Sequence, residues 1–108
     1  MMRDELLRLR AEFTASAAAL AADLEALFEA SRDVNGDDEH DPEGATVGFE
    51  RAQLTALLAT ARQRVAEVDE ALRRIDAGVH GVCEGCGRAI PPERLAARPF
   101  TRSCVTCA

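Results

Sequence analysis

Near its C-terminus the chain reads Cys83-Glu-Gly-Cys86 and, after seventeen further residues, Cys104-Val-Thr-Cys107, and it contains no other cysteine. Each CxxC pair can place two thiolates on one tight turn. The segment between the pairs is long enough to bring both turns around one tetrahedral ion with Zn–S distances of ~2.3 Å. Because the four cysteines would fill every coordination position, no position is left for a catalytic water. The spacing therefore predicts one structural Zn²⁺.

Two other uses of four cysteines are weighed against this prediction. Disulfides are typical of secreted chains, but the N-terminal stretch Met1-Met2-Arg3-Asp4-Glu5 lacks the apolar segment of a signal peptide. A redox CxxC usually occurs singly beside a βαβ pattern, and this sequence shows no such pattern. The sequence also has no run of eighteen apolar residues. We therefore expect a soluble, cytoplasmic protein in a reducing compartment.

The rest of the chain has the periodicity of long helices. Residues 3–32 repeat a large apolar side chain every seven positions on an alanine-rich background of high helix propensity. A second apolar seam follows the alternating steps of four and three residues that are typical of a coiled coil. It comprises Leu54, Leu58, Ala61, Val65, Val68, Leu72, Ile75 and Val79. We expect this second helix to continue to Gly78.

An acidic bend separates the two predicted helices. Residues 33–50 contain seven acidic residues and no arginine, and they include the turn formers Asn35-Gly36 and Asp41-Pro42. Pro42 is placed at the first position of the second helix. The predicted fold is mainly α: an antiparallel coiled-coil helical hairpin over residues 1–79, with its acidic tip at 33–46, followed by a small four-cysteine zinc finger over residues 80–108.

Charge and composition exclude several function classes. The net charge is −6 with a pI near 4.9, and the 13 basic residues are all arginine, which argues against a protein that coats nucleic acid through basic clusters. The sequence contains neither a phosphate-binding glycine loop nor a nucleophile, base and acid at a familiar spacing. No enzymatic activity is expected. His40, in the tip, and His80, before the first zinc turn, are interpreted as structural.

The zinc segment resembles the DksA/TraR family of zinc-finger proteins. The resemblance lies in Gly78–Gly87, which contains the first cysteine pair, in Ile90–Pro99, and in Cys104–Cys107. Within it, Gly87 allows the backbone turn after the first pair, and Pro91-Pro92 is expected to open a short helix that ends near Ala97.

The resemblance implies binding to bacterial RNA polymerase. In that family the coiled coil enters the secondary channel of the polymerase, and acidic tip residues approach the active centre without reading DNA sequence. Counting back from the first zinc cysteine aligns the family's Asp-x-x-Asp-x-Ala tip with residues 40–45. His40 replaces the first acid, while Glu43 and Ala45 match the later positions. The implied partner-binding tip is Asp38, Asp41, Glu43 and Ala45, and no residue is assigned to a nucleotide effector.

Two alternatives to a polymerase-binding transcription regulator remain open on the sequence. One is a zinc-stapled interaction module for another partner, including a second copy through the Leu54–Val79 seam. The other is a nucleic-acid-binding zinc ribbon, for which the basic residues of the finger are the candidates: Arg88, Arg94, Arg98 and Arg102. Sequence-specific DNA binding and membrane association are not expected.

Overall fold

The computed structural model describes the backbone of residues 2–33 and 42–108 and the side chains of residues 2–30 and 46–108. Its helices are α1 (Met2–Asp33), α2 (Pro42–Asp76) and α3 (Pro92–Ala97). Over these residues the structure has no strand, and the one bridge of β type pairs Val82 with Ala89 in antiparallel fashion. The two long helices form a hairpin that is followed by a four-cysteine cluster. The predicted fold class is confirmed.

The long helices follow from composition, periodicity and the charges at their ends. Asp4 and Glu5 lie in the first turn of α1, and Arg73 and Arg74 lie in the last turn of α2, where each charge opposes the helix dipole. Pro42 begins α2, as predicted, because its missing N–H costs nothing in a first turn.

Contacts divide the chain into two compact units, each of which takes part of both long helices. The zinc-proximal unit comprises residues 1–12 and 63–108, and the helical unit comprises residues 13–62. The sequence-based division at residue 79 into a hairpin and a finger is a different division and stays a prediction.

Within the zinc-proximal unit the two long helices are antiparallel. Arg3 pairs with Asp76 at 2.5 Å, and Arg10, seven residues later, pairs with Asp69, seven residues earlier, at 2.6 Å. The core of this unit draws on both helices and on the finger. Its buried apolar residues are Leu6, Val68, Ala71, Cys83 and Ile90.

The end of α2 differs from the predicted helix by two residues. Gly78 has a φ of 76°, its N–H donates to the carbonyl of Ile75 at 3.0 Å, and the N–H of Val79 donates to the carbonyl of Arg74 at 2.9 Å. These two bonds form a Schellman motif, which ends the helix at Asp76. Val79, which the periodicity placed on the apolar seam, therefore lies beyond the helix and is 46% exposed.

The helical unit buries fewer side chains among its described residues. Leu58 and Ala61, both on the predicted seam, are buried, whereas Phe28, Phe49 and Leu57 are exposed. The guanidinium of Arg51 covers one face of the Phe28 ring at 5.4 Å from its centre. None of the described helices is long and apolar enough to cross a membrane.

Candidate metal centre

The four cysteines form a compact sulfur cluster. Their Sγ atoms all lie within 4.8 Å of one another, and those of Cys86 and Cys104 are 3.8 Å apart. Four Zn–S bonds of ~2.3 Å in a tetrahedron place the sulfur atoms ~3.8 Å apart. The spacing and the all-thiolate chemistry therefore fit one zinc ion, which this structure would hold through Cys83, Cys86, Cys104 and Cys107.

A tight hairpin presents the first cysteine pair. The N–H of Cys83 donates to the carbonyl of Arg88 at 2.8 Å, and the N–H of Gly87 donates back to the carbonyl of Cys83 at 2.8 Å. Gly87 has a φ of 74°, which only glycine adopts without strain. The Val82–Ala89 bridge closes the hairpin below this turn. The expectation that Gly87 permits the turn agrees with this geometry.

Backbone amides support the sulfur of Cys83. The N–H groups of Gly85 and Cys104 each donate to this Sγ at 3.3 Å, so each cysteine turn contributes one amide. A larger residue at Gly85 would also crowd the second cysteine turn. A Cβ at this position would lie 3.1 Å from both Cβ and Sγ of Cys107, which is closer than nearly all real contacts of that kind.

The thiols of the cluster differ in pKa. Donation from the backbone of Cys104, then of Cys86, lowers the pKa of Cys83 to about 6, because these hydrogen bonds favour the thiolate. The neighbouring cysteine side chains, with Cys104 first, raise the pKa of Cys107 to about 12. Zinc binds thiolates, so metal binding must displace a proton from Cys107 in this arrangement.

The segment between the pairs holds the second cysteine turn in place. α3 begins at Pro92 and ends at Ala97, as the sequence predicted. From it, the Nε of Arg94 donates to the carbonyl of Ser103 at 2.9 Å, immediately before Cys104. The hydroxyl of Thr101 donates to the same carbonyl at 3.0 Å. The short helix thus positions the second zinc turn through an arginine.

The contacts of one residue near the site are missed by the sequence reasoning. Arg74, in the last turn of α2, donates from Nη2 to the carbonyls of Val79 and Val82, and its Nη1 lies 3.9 Å from the carboxylate of Glu84. Glu84, inside the first CxxC, also pairs with Arg102 at 3.3 Å. A basic residue in a last helical turn followed by glycine is the sequence signal that points to such a role.

The arginines proposed for nucleic-acid binding are largely engaged within the finger. Arg94 binds Ser103, Arg102 pairs with Glu84, and the guanidinium of Arg98 lies 5.7 Å from the centre of the Phe100 ring. Of these contacts only the pair with Glu84 offsets positive charge, whereas Arg94 and Arg98 have neutral partners.

His80 packs close to the junction between α2 and the finger. Both of its ring nitrogens are shielded from solvent, and neither has a hydrogen-bond partner among the described residues. Burial, and secondarily the charge of Arg74, lowers the pKa of His80. A neutral packing role agrees with its interpretation as structural.

The predicted tip is only partly within the described residues. Asp38 and Asp41 lie outside them. Glu43 and Ala45 belong to the first turn of α2, but their side chains are not described. The partner-binding tip therefore stays a prediction.

The comparisons with known proteins agree with this geometry. Residues 77–108 match the prokaryotic dksA/traR C4-type zinc finger. An uncharacterized protein of Aquifex aeolicus is 52% identical over 42 residues, which are 39% of this chain and 29% of that protein. General stress protein 16O of Bacillus subtilis is 37% identical over 71 residues, which are 66% of this chain and 44% of that protein. The chain thus spans less than half the length of these curated relatives.

A solved structure extends the similarity beyond the finger. The structure of transcription factor DksA2 from Pseudomonas aeruginosa superposes with a TM-score of 0.79 at 27% identity, and the match covers 98% of this chain and 76% of that one. The match includes the long helices as well as the four-cysteine module. Residues 77–108 thus form a zinc finger of the dksA/traR type, and the finger and the fold together support a protein of the DksA/TraR family.

Proposed function

We propose that this protein is a transcription regulator that binds RNA polymerase and inserts the acidic bend between α1 and α2 into the secondary channel. The observation that carries the proposal is the similarity to a DksA2 transcription factor over 98% of this chain, hairpin and finger included. The protein would act without catalysis, and it would work in the cytoplasm, where bacterial polymerase is found.

The charge distribution supports an electrostatic role for the bend. Residues 33–50 carry seven acidic residues and no arginine. A concentrated negative charge near the polymerase active centre would act on its Mg²⁺ or on its basic loops. Because salt screens charges over about 8–10 Å at moderate ionic strength, the transcriptional effect should weaken as salt rises.

Zinc has a structural role in this proposal. It would hold the two cysteine turns together, and those turns pack beside the ends of α1 and α2 in the zinc-proximal unit. A finger of some thirty residues buries too little apolar surface to fold alone. The ion would thus keep the base of the hairpin folded while the bend contacts the polymerase.

The first test is co-purification of the zinc-loaded protein with core RNA polymerase of its host, followed by transcription in vitro. The tip variant Asp38→Asn/Asp41→Asn/Glu43→Gln removes three negative charges from the acidic tip, residues 33–46. A matched control, Asp4→Asn/Glu12→Gln/Asp23→Asn, removes three charges from exposed positions elsewhere on α1. We expect the wild type and the control to bind polymerase and change transcription. The tip variant should lose the transcriptional effect while it keeps its zinc and helical content.

The outcomes separate the proposed function from its mechanism. No binding by the wild type at micromolar concentration contradicts polymerase binding and favours a zinc-stapled module for another partner. Binding with equal transcriptional effects from all three proteins contradicts the acidic-tip mechanism alone. A nucleic-acid ribbon is less well supported, because the net charge of the protein is −6 and Arg102 pairs with Glu84.

A further inference from the structure

Arg74 joins the last turn of α2 to the segment that leads into the first zinc turn. Its Nη2 donates to the carbonyl of Val82 and, at 3.4 Å, to that of Val79. Its Nη1 lies 3.9 Å from the Glu84 carboxylate, and the side chain is 14% exposed. The helix and the approach to the zinc site are therefore connected through one partly buried guanidinium.

The partial burial of Arg74 makes these contacts favourable. A guanidinium keeps its charge at all ordinary pH values, and a buried charge is tolerated only with hydrogen-bonded or charged partners. Nε is shielded from solvent and has no hydrogen-bond partner among the described residues, so the two Nη atoms provide the compensation. The side chain can stay in place only while the Val79 and Val82 carbonyls stay within its reach.

Two of the groups that contact Arg74, the Val82 carbonyl and the Glu84 carboxylate, lie next to a zinc ligand. Val82 and Glu84 flank the ligand Cys83, and the N–H of Glu84 donates to the carbonyl of Arg102 at 2.9 Å, near the second cysteine pair. Loss of the metal would release Cys83 from the other three sulfurs and would loosen both neighbours. The main chain of Arg74 also contacts this segment, because its carbonyl accepts a hydrogen bond from the N–H of Val79 at 2.9 Å.

We propose that Arg74 is a positioning residue that couples zinc occupancy to the order of the C-terminal end of α2. Bound zinc would fix the segment that contains the Val79 and Val82 carbonyls. These carbonyls bind the Arg74 guanidinium, which in turn keeps the end of α2 packed against the finger. Coupling of this kind is reciprocal, so disruption of the Arg74 contacts must weaken zinc binding by the factor by which zinc strengthens them. The coupling lies within the zinc-proximal unit and does not depend on polymerase binding.

Amide hydrogen exchange on the full-length protein tests this coupling. The reporters are the amides of Ala77, Gly78 and Val79, whose hydrogen bonds close the end of α2. The test variant is Arg74→Met, which keeps a long apolar stem and removes the charge. The control is Arg73→Met at the adjacent position, where the side chain is 66% exposed and pairs with Glu70. Exchange is measured with zinc bound and after chelation, and zinc affinity is measured by competition with a chromophoric chelator.

In the wild type and in Arg73→Met, chelation should raise exchange at the three reporter amides by about tenfold or more. Zinc-loaded Arg74→Met should already show that faster exchange and should bind zinc about tenfold more weakly. Reporter amides that stay protected after chelation of the wild type would overturn the proposal. Equal zinc affinities for Arg74→Met and Arg73→Met would also overturn it.

A second variant covers the case in which Arg74→Met does not fold. Arg74→Lys keeps the charge but lacks the planar fork that reaches two carbonyls and a carboxylate together. Its zinc affinity should fall by about threefold, with intermediate exchange at the reporter amides. Wild-type affinity together with wild-type protection in Arg74→Lys would contradict the proposal.

Discussion

The zinc-proximal unit and the helical unit contain the same two helices but bury their side chains to different degrees. In the zinc-proximal unit, Leu6 and Val68 are fully buried, and Ile90 from the finger is 3% exposed. In the helical unit, the most buried described residues are Leu58 and Ala61, each 7% exposed. Two helices cover each other along a single seam, whereas the finger adds a third surface that closes the core.

Composition explains why the helical unit stays thinly packed. The α1 stretch Phe13–Asp23 contains six alanines, which favour helix but bury little surface. Large apolar side chains are present nearby, but Phe28 and Phe49 are 41% and 72% exposed. Local helix propensity thus contributes more to this unit, while tertiary burial and metal binding contribute more to the other.

Loss of the metal should have the largest effect and should separate the two units. In Cys83→Ser the finger should unfold, because structural zinc contributes on the order of 10–16 kcal/mol of apparent binding free energy in small fingers. Much of the hairpin should remain helical. Limited proteolysis should therefore cut residues 83–108 rapidly in the variant, with most of the far-ultraviolet circular dichroism retained.

The number of protons that the wild-type protein releases on binding zinc also tests whether the finger unfolds without metal. In a preformed cluster, Cys83 has a pKa of about 6 and is already a thiolate at neutral pH, so it has little proton to release. In an unfolded finger all four thiols keep ordinary pKa values near ~8.5 and are mostly protonated. Calorimetry of zinc binding to the metal-free wild-type protein, in buffers of different ionisation enthalpy, should thus give a release close to four protons. A clearly smaller release, or near-native protease resistance without metal, would contradict unfolding of the finger.

The difference in burial predicts unequal costs for the same substitution. Leu6→Ala should lower the free energy of unfolding by about 4 kcal/mol, near the upper part of the range for buried leucines. Leu58→Ala should cost about 2 kcal/mol, because Leu58 is 7% exposed and its truncation leaves a smaller cavity. Urea denaturation of the zinc-loaded variants measures both values.

Leu57→Ala provides the control for this pair, because Leu57 is 48% exposed and its truncation should cost less than about 1 kcal/mol. Equal costs for Leu6→Ala and Leu58→Ala would remove the proposed difference in packing between the units.

The sequence was sufficient where the determinants were local. Cysteine spacing predicted the zinc cluster, Pro91-Pro92 predicted α3, and the seam predicted the buried positions Leu58 and Val68. Each of these features depends on residues close in sequence or on a ligand chemistry with few alternatives. The helices could therefore be assigned before any tertiary contact was known.

Features that depend on tertiary contacts could not be predicted in the same way. The role of Arg74 depends on carbonyls of Val79 and Val82, which reach it only after the chain turns at the end of α2. Periodicity also placed Val79 on the seam, because a pattern of apolar residues does not show where a helix ends. Gly78 supplied that stop through its positive φ.

The smallest expected effects come from two glycines in open surroundings, one in each unit. A Cβ at Gly78 or at Gly48 would meet no heavy atom within 4 Å, so packing plays no part in either substitution. Gly78 has a φ of 76°, and Gly78→Ala should lower the free energy of unfolding by about 1 kcal/mol. Gly48 lies inside α2, and Gly48→Ala should raise it by about 0.5–1 kcal/mol through helix propensity.

Thermal and urea denaturation of the zinc-loaded proteins should therefore shift in opposite directions for the two alanine variants. A stabilising Gly78→Ala would mean that the helix end can reform without the left-handed residue, and a destabilising Gly48→Ala would mean that local propensity does not govern the helical unit. The pair also isolates the backbone contribution, because both changes add the same methyl group to an open surface. Opposite signs would show that the backbone conformation at each glycine, helical at Gly48 and left-handed at Gly78, decides the effect of the added methyl group.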